Sequence, residues 1–134
     1  MKVWGIGANW GGKSMLSEFE KKKAVGIGWD EASAPALYAM MNEIDIGDIV
    51  YVKSYMLKGR RLRIKAVGEV ISTAFEKPNV FGNDHRTVCV KWRDGSFLNI
   101  QEHELTKEEH RYNVYSHTLY REYNHTIIKK VLEY

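Results

Sequence analysis

Residues Gly7-Ala8-Asn9-Trp10-Gly11-Gly12-Lys13-Ser14 spell G-x4-G-K-S, the phosphate-wrapping loop of many nucleoside triphosphatases. In that chemistry backbone N–H groups surround a phosphate, the lysine neutralises it and the serine holds magnesium. A strand pattern precedes the motif and a helical pattern follows, as the chemistry requires. The remaining context argues against it. The helical stretch that follows is short, and a phosphate-loop core needs parallel strands joined by crossover helices, whereas most of this chain reads as hairpins. No apolar strand ends in an acid suited to magnesium; Asp30, after AVGIGW, is the nearest and a poor one. Trp10 is also out of place inside a phosphate cradle. A tryptophan flanked by glycines suits another task, closing over a flat ligand.

Other reactive constellations are missing. His85, His103, His110, His117 and His125 contain no H-E-x-x-H pair. A lone Cys89 excludes an internal disulfide framework and a cysteine-rich zinc site. Ser14 and Ser54 lack a nucleophile elbow, and Glu108-Glu109 reads as a solvated helix start. No catalytic residue, metal site or cofactor is expected, and the chain is read as a non-enzyme.

Charge and aromatics say more. The net charge of +3 is compatible with a polyanionic partner without demanding one. Six cations, Lys53, Lys58, Arg60, Arg61, Arg63 and Lys65, fall on one hairpin, at its tip and along a strand face. Tyr51 and Tyr55 share the face of Lys53, so aromatic and basic residues interleave, as stacking with backbone neutralisation needs. A solvated, aggregation-resistant hairpin edge is the bland alternative. The first reading assigns phosphate contacts to Lys53, Lys58, Arg60 and Arg61.

These residues need elements to position them. Apolar patterning predicts strands over 2–7, 24–29, 49–56, 62–72 and 87–93, with a return strand over 97–100 after the Asp94-Gly95 turn pair. Along 62–72, Leu62, Ile64, Ala66 and Val70 alternate with Arg63, Lys65 and Glu69, and Gly68 marks a bulge or bend. Helices are predicted over 15–23, over 34–43 with Pro35 in the first turn, and over about 118–132, where Tyr120, Tyr123, Ile127, Ile128, Val131 and Leu132 make a stripe. Strands joined by tight hairpins imply an α+β domain over 1–134, with a curled mixed sheet flanked by helices. No apolar run reaches the ~18–20 residues of a membrane span. The opening residues read as too short an apolar run, with the wrong flanks, for a signal peptide, and a cytoplasmic location is expected.

In this order the segments KVWGIGANW, AVGIGW, IDIGDIVYVKS and IKAVGEV resemble the EVE group of the PUA-like superfamily, which is related to YTH domains. They are also similar to the modified-base-reading N-terminal domains of McrB-type restriction subunits. The resemblance covers residues 2–72 by motif, and 87–132 by the order of strands and helix. It implies a PUA-like pseudo-barrel with an aromatic pocket for a flipped, often methylated base. The pocket would lie between the first loop, the segment after AVGIGW and the end of the 49–56 strand. Carried onto this chain, Trp10, Trp29 and Tyr55 would form the cage, and Asn9, Asp30 and Ser54 would read the base edge. Aromatic faces with a few edge hydrogen bonds are what a flat base requires. The expected partner is a nucleic acid with a modified base, or a free nucleotide, with no membrane, bound by a monomer or weak homodimer. Two alternatives stay open: a small nucleotide-binding protein using GANWGGKS, and an anti-defence protein that sequesters a nucleotide or blocks a partner.

Overall fold

The computed structural model describes residues 1–56, 61–73, 80–82, 86–95, 97, 101–104, 106–107 and 118–134, at 55, 56, 61 and 101–103 by backbone alone. Strands are β1 (Val3–Gly7), β2 (Asn9–Trp10), β3 (Lys13–Ser14), β4 (Ala24–Gly26), β5 (Ile49–Met56), β6 (Arg61–Ser72), β7 (Thr87–Trp92), β8 (Gln101–Glu104) and β9 (Leu119–Arg121). Helices among the described residues are α1 (Leu16–Lys22), α2 (Pro35–Met41) and α3 (His125–Glu133).

The main sheet runs β4-β7-β6-β5-β1-β9, with β8 alongside β6. Strands β1 and β5 are parallel; the other described pairs are antiparallel. The fold is therefore α+β, with a strongly curled mixed sheet that makes a half-barrel. The curl has a local cause in β6. This strand pairs with β5 along one side, and on the other with β8 through Arg61–Ile64 and with β7 through Gly68–Ser72. An extra residue, Lys65, stands between the pairs Val52↔Ala66 and Lys53↔Ile64, and another, Ile71, between Val70↔Val90 and Ser72↔Cys89. Each bulge bends the strand and sharpens its twist. The bend expected at Gly68 is thus displaced to either side of it. Gly68 has a different reason to lack a side chain: a Cβ there would come within 2.8 Å of the Trp92 ring.

The bulge at Lys65 also rephases the strand. Leu62 and Ile64 join Val67 and Tyr51 in one core, whereas Ala66 and Val70 enter the other. The simple alternation expected along 62–72 breaks there. The larger core lies under α1 and α2 and holds Trp4, Phe19, Tyr38, Met41 and Val52; the smaller lies under α3 and holds Tyr51, Ile64, Tyr120, Ile127 and Val131. Helices therefore cover both faces of the sheet.

The helix expected over 118–132 is two elements. Leu119–Arg121 pairs with β1, and Asn124 then caps α3, its Oδ1 accepting from Thr126 N at 2.9 Å and Ile127 N at 3.2 Å. Tyr120, Ile127 and Val131 do share a core, but through a strand followed by a helix. Tyr123, assigned to the same stripe, is exposed. Of the return strand expected over 97–100, residues 98–100 lie outside the described residues. So do the hairpin tip at 57–60 and most of the 77–84 loop.

One buried acid anchors the start of the sheet. Asp48, in the IDIGD turn, accepts from Trp4 Nε1 at 3.0 Å, Lys2 N at 3.0 Å and Asp45 N at 2.9 Å. Burial works against its charge, but these hydrogen bonds and the Lys2 charge outweigh it and hold Asp48 below the ordinary carboxylate value.

Candidate functional site

The first loop is a hairpin. Asn9 pairs with Ser14 and Trp10 with Lys13, around Gly11 at φ +58° and Gly12 at φ +91°. Two central residues with positive φ make the turn class that matches the twist of flanking strands, and it is open chiefly to glycine and asparagine. Asn9 Oδ1 accepts from Gly12 N at 2.8 Å and closes the turn. Met15 N donates to Ala8 O at 2.6 Å, which ties the base of the hairpin together. The letters G-x4-G-K-S are therefore a β-ribbon here and not a loop wrapped around a phosphate at a helix start. The helix that follows has seven residues and begins at Leu16.

Trp10 leans from this hairpin onto the body of the protein. Its indole meets Phe81 edge-on at 5.5 Å and Phe19 at 6.2 Å between ring centroids. Beneath it passes Gly28, where a Cβ would stand 2.9 Å from Trp10 Cγ. The strand expected over 24–29 accordingly ends at Gly26, and the chain bends through Gly28 and Trp29.

Trp29 is a large apolar side chain left 52% exposed. Its backbone is fixed: the buried Tyr38 hydroxyl on α2 donates to the Trp29 carbonyl at 2.8 Å. The next turn is held too. Asp30 Oδ1 accepts from Ser33 N at 2.7 Å, and Glu31 pairs with Arg86 at 3.0 Å. A backbone hydrogen-bonded to α2 thus carries a half-exposed indole.

Asn9, Trp10, Gly11, Lys13, Met15, Gly28, Trp29 and Phe81 line one cavity of about 530 Å³. This is within the range of small-molecule pockets. Of the expected base-binding residues, the cavity joins Asn9, Trp10 and Trp29, from two separate segments. Asp30 follows Trp29 but is engaged with its own turn and is not among the lining residues. Half-buried Ser54, opposite Arg63 on β5, does not line it either. The Tyr55 side chain lies outside the described residues. Sequence reasoning did not assign Gly11, Lys13, Met15, Gly28 or Phe81 to the base pocket; Gly11 and Lys13 had entered only through the G-x4-G-K-S alternative. A glycine immediately before an exposed tryptophan was the available signal for Gly28; Phe81 arrives from a distant loop and had none.

The basic hairpin looks different from its expected form. Lys53 is 5% exposed, its Nζ 5.0 Å over the Tyr120 ring. Burial lowers the lysine to about 8, with the Glu122 charge opposing. Beside it, Tyr51 donates to Glu122 Oε1 at 2.6 Å and meets the Tyr120 hydroxyl at 2.6 Å. Burial, chiefly, raises Glu122, with the Tyr51 hydrogen bond working against it. Lys53 is thus part of a buried polar cluster under α3 and not of a phosphate-facing surface. Lys58 and Arg60 lie outside the described residues, as does the Arg61 side chain. Arg63 and Lys65 are half-exposed.

No protein-family model matches this chain, and no curated protein matches it. Among the described residues no cluster of His, Cys, Asp and Glu could hold a metal ion. Nor is any helix among them long and apolar enough to cross a membrane.

Proposed function

We propose that this chain is a non-catalytic binding module that holds a modified, in the first instance methylated, base of DNA or RNA between Trp10 and Trp29. The observation that carries the reading is the meeting of Asn9, Trp10 and Trp29, from two separate segments, around one cavity. A second tryptophan already packed on Phe19 and Phe81 supplies a fixed wall, and the exposed Trp29 supplies a face that a ligand would desolvate. Stacking on such faces contributes about 1–3 kcal/mol per base. A buried methyl group adds about 0.8 kcal/mol, roughly a fourfold preference over the unmodified base. The EVE-type, PUA-like identity of the fold belongs to the same proposal, supported by the motif order and by the curled mixed sheet covered on both faces.

A free nucleotide is the second reading. The burial of Lys53 favours it, because one of the four cations assigned to a nucleic-acid backbone is turned inward. A triphosphatase acting through GANWGGKS draws no support from a β-hairpin at that position.

The test is a fluorescence titration with oligonucleotides carrying N6-methyladenine, 5-methylcytosine or 5-hydroxymethylcytosine, against unmodified controls. Wild type should bind one modified strand several-fold more tightly than its control. Trp29→Ala should weaken that binding at least tenfold with no change in thermal unfolding, because the side chain is exposed. Unchanged affinity in Trp29→Ala would overturn the cage.

A further inference from the structure

We infer that the cavity takes its base together with the phosphate of the same nucleotide, and that Lys13 is the group that meets the phosphate. The inference rests on the base-pocket reading and names its ligand class more closely.

The polar side chains of the cavity are donors. Asn9 Oδ1 is occupied by the Gly12 N–H at 2.8 Å, so the amide offers its NH2 group. The indole of Trp29 donates and cannot accept, the indole of Trp10 offers its ring face, its Nε1 being buried, and the ammonium of Lys13 only donates. Among the described residues, no lining side chain carries a carboxylate or a hydroxyl. A complementary ligand must therefore present acceptors: ring nitrogens or carbonyls at the base edge, and anionic oxygens. A cationic base finds no side-chain counter-charge among the described lining residues.

Position singles out Lys13 for the anion. It is the direct cross-strand partner of Trp10 in the hairpin. Such partners project from the same side of a ribbon, with Cβ atoms about 4.5–5.5 Å apart. The ammonium on its flexible stem therefore stands at the mouth of the cavity beside the indole wall. The side chain is exposed, and among the described residues it pairs with no acid. Of the described acids that follow Trp29, Asp30 accepts from Ser33 N and Glu31 pairs with Arg86. A base lying against Trp10 has its sugar and phosphate directed outward, where that cation waits. Lysine recognises phosphate as a point charge, so its effect is screened by salt.

The experiment is calorimetric titration of the full chain with the four ribonucleosides, their 5′-monophosphates, inorganic phosphate and 5′-phosphorylated dinucleotides. At low salt the best monophosphate should bind at least tenfold more tightly than its nucleoside, and phosphate alone should bind far more weakly. Lys13→Ala should collapse the monophosphate-to-nucleoside ratio to below twofold, and Lys13→Arg should restore most of it. A dinucleotide that binds more tightly than the mononucleotide points to a strand as the source of the phosphate; equal binding points to a free nucleotide. Equal affinity for nucleoside and monophosphate in wild type, or a ratio unmoved by Lys13→Ala, overturns the role of Lys13 and leaves the base pocket standing. No binding of any nucleoside, nucleotide or modified oligonucleotide overturns both.

Discussion

The backbone of Gly28 lies against the indole of Trp10 so closely that a Cβ on Gly28 would stand 2.9 Å from Trp10 Cγ. This contact joins the first hairpin to the segment that carries Trp29, and so sets the spacing of the two tryptophans. Gly28→Ala should push the indole off its seat on Phe81. Overpacking of this kind costs about 1–3 kcal/mol. The expected outcome is a modest fall in unfolding free energy with a loss of ligand affinity of at least tenfold, read by denaturant melts and fluorescence titration of the same protein. Wild-type affinity in Gly28→Ala would show that Trp10 is not a wall of the site.

Asp48 should be the structural acid of the molecule. Asp48→Ala strands Trp4 Nε1 and the N–H groups of Lys2 and Asp45, of which the first is buried. The expected loss is on the order of 3 kcal/mol. Its folded pKa lies below the ordinary 3.8, so its contribution is present above that value and is lost as pH falls through the folded pKa. Glu122, held above its ordinary value chiefly by burial, works in the opposite sense. The measurement is therefore the difference between wild type and Asp48→Asn in urea unfolding from pH 6 to pH 2.5, which should shrink toward acid.

Lys53 should make the protein more stable in mild alkali. Its folded pKa of about 8 lies below the ordinary 10.5. Between those values the unfolded chain binds more protons, so stability rises with pH, by about 2 kcal/mol from pH 7 to pH 10. Tyr51 and Tyr120, both raised chiefly by burial, oppose this as the unfolded tyrosines ionise, from about pH 9 upward. Lys53→Met should flatten the rise. A wild-type curve as flat as that of the variant would contradict the burial of the ammonium.

The parts of the site legible in the sequence are those written in local chemistry. Gly11-Gly12 mark a turn and Asp30 follows Trp29 at the start of another, and a tryptophan beside a turn is less bound to a core than Trp4 inside β1. Trp10 and Trp29 could therefore be picked out as candidates from sequence, and the fold brings both to one cavity. The strand β5 and its antiparallel return were legible for the same reason, as apolar runs separated by basic turn residues. What escaped was set by contacts distant in sequence. Lys53 shares a face with Tyr51, as alternation requires, but that face is roofed by Tyr120, Glu122 and α3, nearly seventy residues on in the case of Tyr120. The stripe from Tyr120 to Val131 fits a helix in isolation; pairing of Leu119–Arg121 with β1 decides for a strand. The bulge at Lys65, which rephases β6, answers to the switch of neighbour from β8 to β7 and leaves no local mark.

The central claim, that Trp10 and Trp29 alone among the four tryptophans face the ligand, is tested most directly by the indole N–H resonances of the 15N-labelled protein. Trp4 Nε1 is bonded to Asp48 at 3.0 Å and Trp92 Nε1 to the Phe19 carbonyl at 3.0 Å, so both serve as internal controls. Titration with the tightest-binding modified nucleotide should move the signals of Trp10 and Trp29 and leave those of Trp4 and Trp92 in place. Movement confined to Trp4 or Trp92, or no movement of Trp29 at saturating ligand, would contradict the account.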